Sequence, residues 1–355
     1  MSVLFFIGNG FDVALGLKTS AKDFLDVYTE KQGTQKGDSI AKLKAEIKKS
    51  KKDSGYEKWS NLEFMLGDFT REYEKPEDCI YAYSDICKNL INYIREQEAQ
   101  VEKAIEDILD DGESNIFIET ADFFTEFYNT FEAEHKKLIV SCLLRNRPNQ
   151  SNAKDTRCNF LNFNYTNTLE LCAKNWNIPQ DYKRNFVWKV GQIKSVHRTL
   201  ESLPIIGVDN VDQIANEQFR NIRDIRLLLD KPYKLSLHGG DEIAVAENLI
   251  KQSKIICIFG MSLGESDKSW WVRVGNWLTQ RPDSLLVIFD YAGHPQTPLS
   301  HIQLSQEFTT RDKFLELAEI KDATDELTRR ILVDIHYGKF KSKLFNRKTT
   351  ESGVE

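Results

Sequence analysis

The sequence predicts an α/β fold: a mainly parallel, Rossmann-like, doubly wound sheet that carries a large helical insertion. Three observations predict it. The chain opens on a continuous apolar run, Val3-Leu4-Phe5-Phe6-Ile7, closed by Gly8-Asn9-Gly10, which suits a strand buried on both faces. Similar runs return after about residue 155, separated by segments of helical spacing, the alternation expected of βαβ units. Between these regions lies a long stretch rich in Lys, Glu and Asp that has helical periodicity and no comparable strand signal.

Taken in order, residues 1–25 supply the first strand, its glycine turn and a helix. Residues 26–154 form the insertion, with apolar positions at helical spacing in Leu90-Ile91-Tyr93-Ile94, Val101-Ile105-Ile108 and Phe123-Phe127-Phe131. Four β-rich runs follow, each stopped by a glycine or a polar residue. They are Phe160–Phe163 before Asn164, Leu203–Ile206 before Gly207, Ile255–Phe259 before Gly260, and Leu285–Phe289 before Asp290. Helices are expected over 212–229, 241–253 and 267–279, so that residues 1–25 and 155–310 make the nucleotide-binding core. Residues 311–355 read as C-terminal helices with a short last strand and a flexible tail.

Composition limits the function classes. At 355 residues, 41% hydrophobic and 29% charged, the chain can bury an ordinary packed core. No stretch approaches the roughly 20 apolar residues of a membrane span, and the opening segment has no basic leader, which predicts a cytoplasmic protein without a membrane partner. Six scattered cysteines, Cys79, Cys87, Cys142, Cys158, Cys172 and Cys257, lack metal-ligand spacing and read as small buried hydrophobes. A formal net charge of −6 disfavours nucleic acid as a partner. Lys48, Lys49, Lys51, Lys52 and the C-terminal Lys339, Lys341, Lys343, Arg347, Lys348 read as solvated surface.

Four segments carry candidate chemistry. In Gly8-Asn9-Gly10-Phe11-Asp12, glycines would let the backbone approach a phosphate at a helix start, or would simply make a tight strand-to-helix turn. Asp12 repels an anion, so it is expected to cap the helix or to touch sugar hydroxyls. In Asn162–Glu170, Asn164 and Thr166 stand at a strand end, where they either meet a ligand or cap the helix beginning near Thr168. His197 and His238 lie near strand ends and have the imidazole chemistry of a general base. Gly260-Met261-Ser262 repeats the glycine turn, followed by Ser266 and Asp267 as helix caps, with Trp270-Trp271 as a packing element. Ser60 and Glu63 have capping-box spacing.

In order, Gly8-Asn9-Gly10-Phe11-Asp12 with Gly16-Leu17 and Thr19, Trp59–Glu63, Phe163-Asn164-Tyr165-Thr166, His197, Gly207-Val208-Asp209 and Gly260–Gly264 resemble the AbiH family of bacteriophage abortive-infection proteins. The likeness spans most of residues 3–290 and departs where Arg198 stands in place of a glycine. A more distant likeness is to the sirtuin-like NAD-binding fold. It implies a pyrophosphate held by Gly8 and Gly10, Asn164 on the nicotinamide ribose or the attacking water, His197 as base, and Gly260 and Ser262 on the adenosine side. Here Asn9 replaces an alanine, and Thr166 an aspartate that helps hold the carboxamide. These resemblances imply antiphage defence by hydrolysis of NAD or a related nucleotide at its N-glycosidic bond, with Asn164 and His197 catalytic. Gly8, Asn9, Gly10, Phe11, Asp12, Thr166, Gly260 and Ser262 would bind the ligand, with no resident metal. A phage-derived trigger and a homo-oligomer are further expected partners. Two rivals remain: a non-catalytic nucleotide-sensing module, and a Mg²⁺-dependent nuclease using Asp12, Glu63, Asp209 and Asp267.

Overall fold

Every residue from Val3 to Ile7 is apolar and fully buried, so the first strand, β1 (Ser2–Ile7), can sit only inside a sheet covered on both faces. The computed structural model describes residues 2–30, 38–54, 59–112, 115–144, 154–176, 186–202, 204–237, 241–290 and 300–335. In it β1 is joined by β2 (Lys154–Asn162), β3 (Phe186–Ser195), β4 (Ile255–Phe259), β5 (Leu285–Phe289) and β6 (Ile331–Asp334), all parallel, in the order β3-β2-β1-β4-β5-β6. That order is the one used by doubly wound dinucleotide-binding sheets, whose direction of winding reverses between β1 and β4.

Among the described residues, seven α-helices connect β1 to β2: α1 (Gly10–Ala14), α2 (Ala21–Glu30), α3 (Asp38–Ser54), α4 (Trp59–Asp68), α5 (Pro76–Asp110), α6 (Asn115–Glu126) and α7 (Ala133–Leu144). After β2 comes α8 (Thr168–Ala173), and after β3 come α9 (Arg223–Leu229), α10 (Lys231–Leu237) and α11 (Asp241–Gln252). The last three are α12 (Lys268–Gln280) after β4, then α13 (Ser300–Leu317) and α14 (Asp325–Thr328) between β5 and β6.

The insertion divides in two by what it buries. Val3, Phe5 and Ile7 share one core with Val101, Ile105 and Ile108 of α5, Phe117 and Phe124 of α6, and Ile139 and Leu143 of α7. Part of the insertion is therefore the layer that a doubly wound sheet requires on that face. Leu4 and Phe6, which alternate to the other side, meet Leu249 of α11, Trp271 and Val274 of α12 and Phe314 of α13. The N-terminal half of α5 runs on into a separate core with α2, α3, α4 and α9, which also takes Tyr165, Ile206 and Val208. This second group lies against segments that leave the carboxyl ends of the strands.

Two sequence expectations fail, each for a physical reason. Of the strand expected over Leu203–Ile206, residue 203 lies outside the described residues and 204–206 are not in a strand, since Pro204 removes a ladder donor. Ile205 makes a turn contact to the His197 carbonyl at 2.8 Å, and Val208 forms a single bridge to Asp230. The strand in that region is β3, which sits at the sheet edge and interleaves exposed Lys189 and Gln192 with buried Trp188, so it shows no continuous apolar run. The helix expected from 212 begins only at Arg223, because Asn210 and Asn216 each accept an amide two residues on and wind the chain into short 3₁₀ turns. β6 carries the sheet past residue 310. Among the described residues no helix is long and apolar enough to cross a membrane. Five of the six free cysteines are buried, and Cys87 is half-buried.

Candidate functional site

The two glycine turns meet where β1 and β4 end side by side. The Gly8 amide donates to Phe259 O at 2.9 Å and the Gly10 amide to Gly260 O at 2.7 Å. A Cβ on Gly10 would lie 2.5 Å from the Gly260 Cα, and one on Gly8 would lie 2.3 Å from Met261 Cγ. Gly260 itself has φ +66, a conformation that side chains resist. The glycines thus let two backbones touch, and their amides are spent on each other's turn. Asn9, Gly10, Gly260, Met261 and Ser262 stay half-buried at the lip, where Asn9 Oδ1 accepts the Thr19 hydroxyl at 2.6 Å. Phe11 turns inward against Phe124 and Phe259.

Beyond β2 the side chains of the next segment alternate between two polar groups. Asn164 Nδ2 donates to Asp12 Oδ1 at 3.3 Å, and the Thr166 hydroxyl donates to Asp12 Oδ2 at 2.7 Å. Neither caps α8, whose N-cap is Asn167, held by its amide on Glu98 at 2.8 Å. Asn162 braces the bend, accepting the Asn164 amide at 3.0 Å and donating to Thr166 O at 3.1 Å and Glu170 at 3.2 Å. Burial pushes the Asp12 carboxyl up to about 7; the Thr166 and Asn164 hydrogen bonds oppose the rise, and the charges of Glu98 and Glu170 add to it.

Tyr165, between those two residues, points the other way and donates its hydroxyl to Glu63 of α4. Glu63 also takes the ammonium of Lys231, at the start of α10, at 2.6 Å. Lys231 Nζ stands 3.7 Å from Asp267 Oδ1, which is 3.6 Å from His197 Nε2. The His197 ring lies edge-on to Phe163 at 5.5 Å and beside Tyr165 at 6.2 Å, the residues that flank Asn164. Burial, reinforced by Lys231, holds the imidazole well below its ordinary value despite a hydrogen bond to the Phe163 backbone, so His197 is neutral. Burial raises Asp267 to about 7, against the pull of Lys231. Burial disfavours the Lys231 charge, yet Glu63 and Asp267 outweigh it and lift the ammonium above its usual value.

Asp267 occupies the N-cap of α12 without a side-chain cap bond. Asp209 caps that helix from across the chain, accepting the Ser269 amide at 2.7 Å and its hydroxyl at 2.8 Å. Ser266 Oγ and Asp267 Oδ1 are buried without a hydrogen-bond partner, a state that costs free energy until something meets them. Trp270 and Trp271 are core residues. The carboxylates of the nuclease reading are engaged by other groups: Asp12 by Asn164 and Thr166, Asp209 by Ser269 of α12, and Glu63 and Asp267 by Lys231. No group of three metal-ligating side chains occurs among the described residues.

Sequence reasoning missed Lys231 and Glu98, single charged residues within charged helices that carry no local signal. Tyr165 lay inside a motif but was overlooked beside its asparagine. His238 and the side chain of Ser60 lie outside the described residues. With this geometry in place, a family model described as bacteriophage abortive infection AbiH matches residues 4–289. No curated protein and no solved structure matches the chain.

Proposed function

The chain belongs to the AbiH family of bacteriophage abortive-infection proteins, and from that premise we propose that it acts in the cytoplasm by binding NAD or a related nucleotide and hydrolysing its N-glycosidic bond. One observation carries the reading: on a sheet of dinucleotide-binding order, Asn164 and His197 follow the carboxyl ends of the adjacent strands β2 and β3, the end of the sheet at which such folds hold their ligands, and Asn164 reaches back to Asp12 beside the β1 end.

The nucleotide would cross the half-buried lip formed by Asn9, Gly10, Gly260 and Ser262, with Phe11 and Asp12 beneath it. Gly8 and Gly10 serve by allowing the two turns to touch rather than by donating their amides. Asp12 holds the Asn164 amide nitrogen, so the Asn164 side-chain oxygen is the group that would accept from a ribose hydroxyl or water. In hydrolysis the water oxygen bonds to C1′ of the ribose while the C1′–N bond breaks with its electron pair to the nicotinamide ring. The water proton passes to a base, the role of neutral His197.

The test incubates purified protein with NAD, with and without a phage-infected lysate, and separates the products by chromatography. Nicotinamide and ADP-ribose should appear, and release should fall at least ~100-fold in Asn164→Ala. Release that survives Asn164→Ala unchanged overturns the assignment. A second reading, a nucleotide sensor without turnover, draws support from the engaged Gly8 and Gly10 amides and from Glu63 and Glu98, through which the insertion reaches both polar groups. Tight NAD binding with no product over long incubation would favour it.

A further inference from the structure

The group around His197 contains more acid–base chemistry than a lone imidazole. In a neutral ring one nitrogen carries hydrogen and the other a lone pair. His197 Nε2 faces Asp267 Oδ1 at 3.6 Å, a ring nitrogen opposite a carboxylate oxygen. Two bare acceptors do not face each other in a buried site unless a proton lies between them. Asp267 Oδ1 also has no hydrogen-bond partner, and the remaining gap is of the kind that closes when a ligand tightens an acid–base pair.

The surrounding charges point the same way. The groups facing Asp267 are Lys231 from α10, Glu63 from α4, Asp209 from the segment after Gly207, and His197 itself. Tyr165 closes the far side of Glu63, and Lys234 adds a more distant cation there. Glu63 and Asp267, buried beside Lys231, together with half-buried Asp209 leave an excess of negative charge, which one bound proton relieves. His197 Nε2 faces Asp267 across the gap. Asp267 is also less enclosed than its partners, its side chain 12% exposed against 6% for His197 and 2% for Lys231.

We infer that Asp267 and His197 form one acid–base unit that holds a single proton between Oδ1 and Nε2, with Asp267 the member that exchanges it with the bound molecule and Lys231 the positioning residue. The inference rests on the proposed hydrolysis for its substrate, and it changes the assignment of the base. Water gives its proton to the ionised pair as its oxygen bonds to C1′, nicotinamide leaves with the C1′–N electrons, and the pair returns the proton to solvent. Glu63, from the insertion, holds Lys231 in place, so the acid–base unit is complete only when α4 is docked.

The experiment is an NMR titration of the full-length protein labelled with ¹⁵N-histidine and ¹³C-aspartate, from pH 5 to 9, together with the pH profile of nicotinamide release. Expected are a common inflection near pH 7 in the Asp267 carboxyl and the His197 ring, with Nε2 free of its own proton above it, and loss of the ring inflection in Asp267→Asn. Release should rise through the same pH, and kcat should drop at least ~100-fold in Asp267→Asn with KM little changed. An Asp267 carboxyl ionised at every pH, beside a His197 that titrates alone near its ordinary value, overturns the inference. The wild-type titration needs no variant to fold. A shared inflection without any nicotinamide release leaves this pair standing and removes the proposed hydrolysis, whereas release without a shared inflection does the reverse.

Discussion

Replacing Gly10 with alanine tests what the glycine signature is for. The added Cβ would sit 2.5 Å from the Gly260 Cα and 3.0 Å from its carbonyl oxygen, where ordinary contact begins near 3.4 Å. Both neighbours are backbone, so the turns after β1 and β4 must part by nearly 1 Å. Overpacking of this kind costs about 1–3 kcal/mol, and loss of the hydrogen bond from the Gly10 amide to Gly260 O adds about 1 kcal/mol. Alanine returns about 0.4–1 kcal/mol by restricting the unfolded chain. The expected result is a net loss of about 1–3 kcal/mol, read from urea unfolding as a lower midpoint at unchanged m. Gly112→Ala is the control: it has φ +70 but nothing within 4 Å, so it should carry conformational strain alone. A Gly10→Ala protein as stable as the wild type, impaired only in NAD binding, would refute the account in which the two turns need each other. It would restore these amides to the phosphate.

Two further perturbations probe the polar groups. The Asp12 carboxyl is raised from 3.8 to about 7, so its protonated form is the one that favours the fold. Its stabilising contribution is complete below about pH 4 and is lost as pH rises toward 7. Asp12→Asn should therefore change little at pH 4 and stabilise at pH 8, by up to about 4 kcal/mol, in paired urea titrations; equal effects at both pH values would argue against a protonated Asp12. Lys231→Met strands Glu63 and should cost about 3–5 kcal/mol. Adding Glu63→Gln should recover part of that loss, so strictly additive effects in the double-mutant cycle would deny the pairing.

The centre of the fold was legible in the sequence and its rim was not, for one reason. Strands covered on both faces, such as Val3–Ile7 and Ile255–Phe259, must be continuously apolar and so announce themselves. β3, an edge strand with one wet face, alternates lysine and glutamine with Trp188 and blends into its surroundings. The site divides likewise. Asn164 and the glycine turns stand at strand ends that the apolar runs mark, whereas His197 follows β3, which no apolar run marks, and Lys231 gains its meaning from Glu63, 168 positions away. The family's glycine after the histidine is replaced by Arg198, yet Arg198 keeps φ +59. Arg198 thus adopts a conformation that glycine takes readily, and its guanidinium reaches Glu242 at 3.3 Å.

The central position of β1 also has a consequence in time. Its neighbours in the sheet lie at Arg157–Asn162 and Ile255–Phe259, so β1 cannot be flanked on both sides until β4 has been made. At 5–20 residues per second, β4 follows β1 by roughly 12–50 s of translation. Asp267 emerges later still. A nascent chain, or one cut short within α11, would carry Asn164 and His197 with no second member for the imidazole. On the proposed mechanism, such a chain would be inactive until Asp267 had been made.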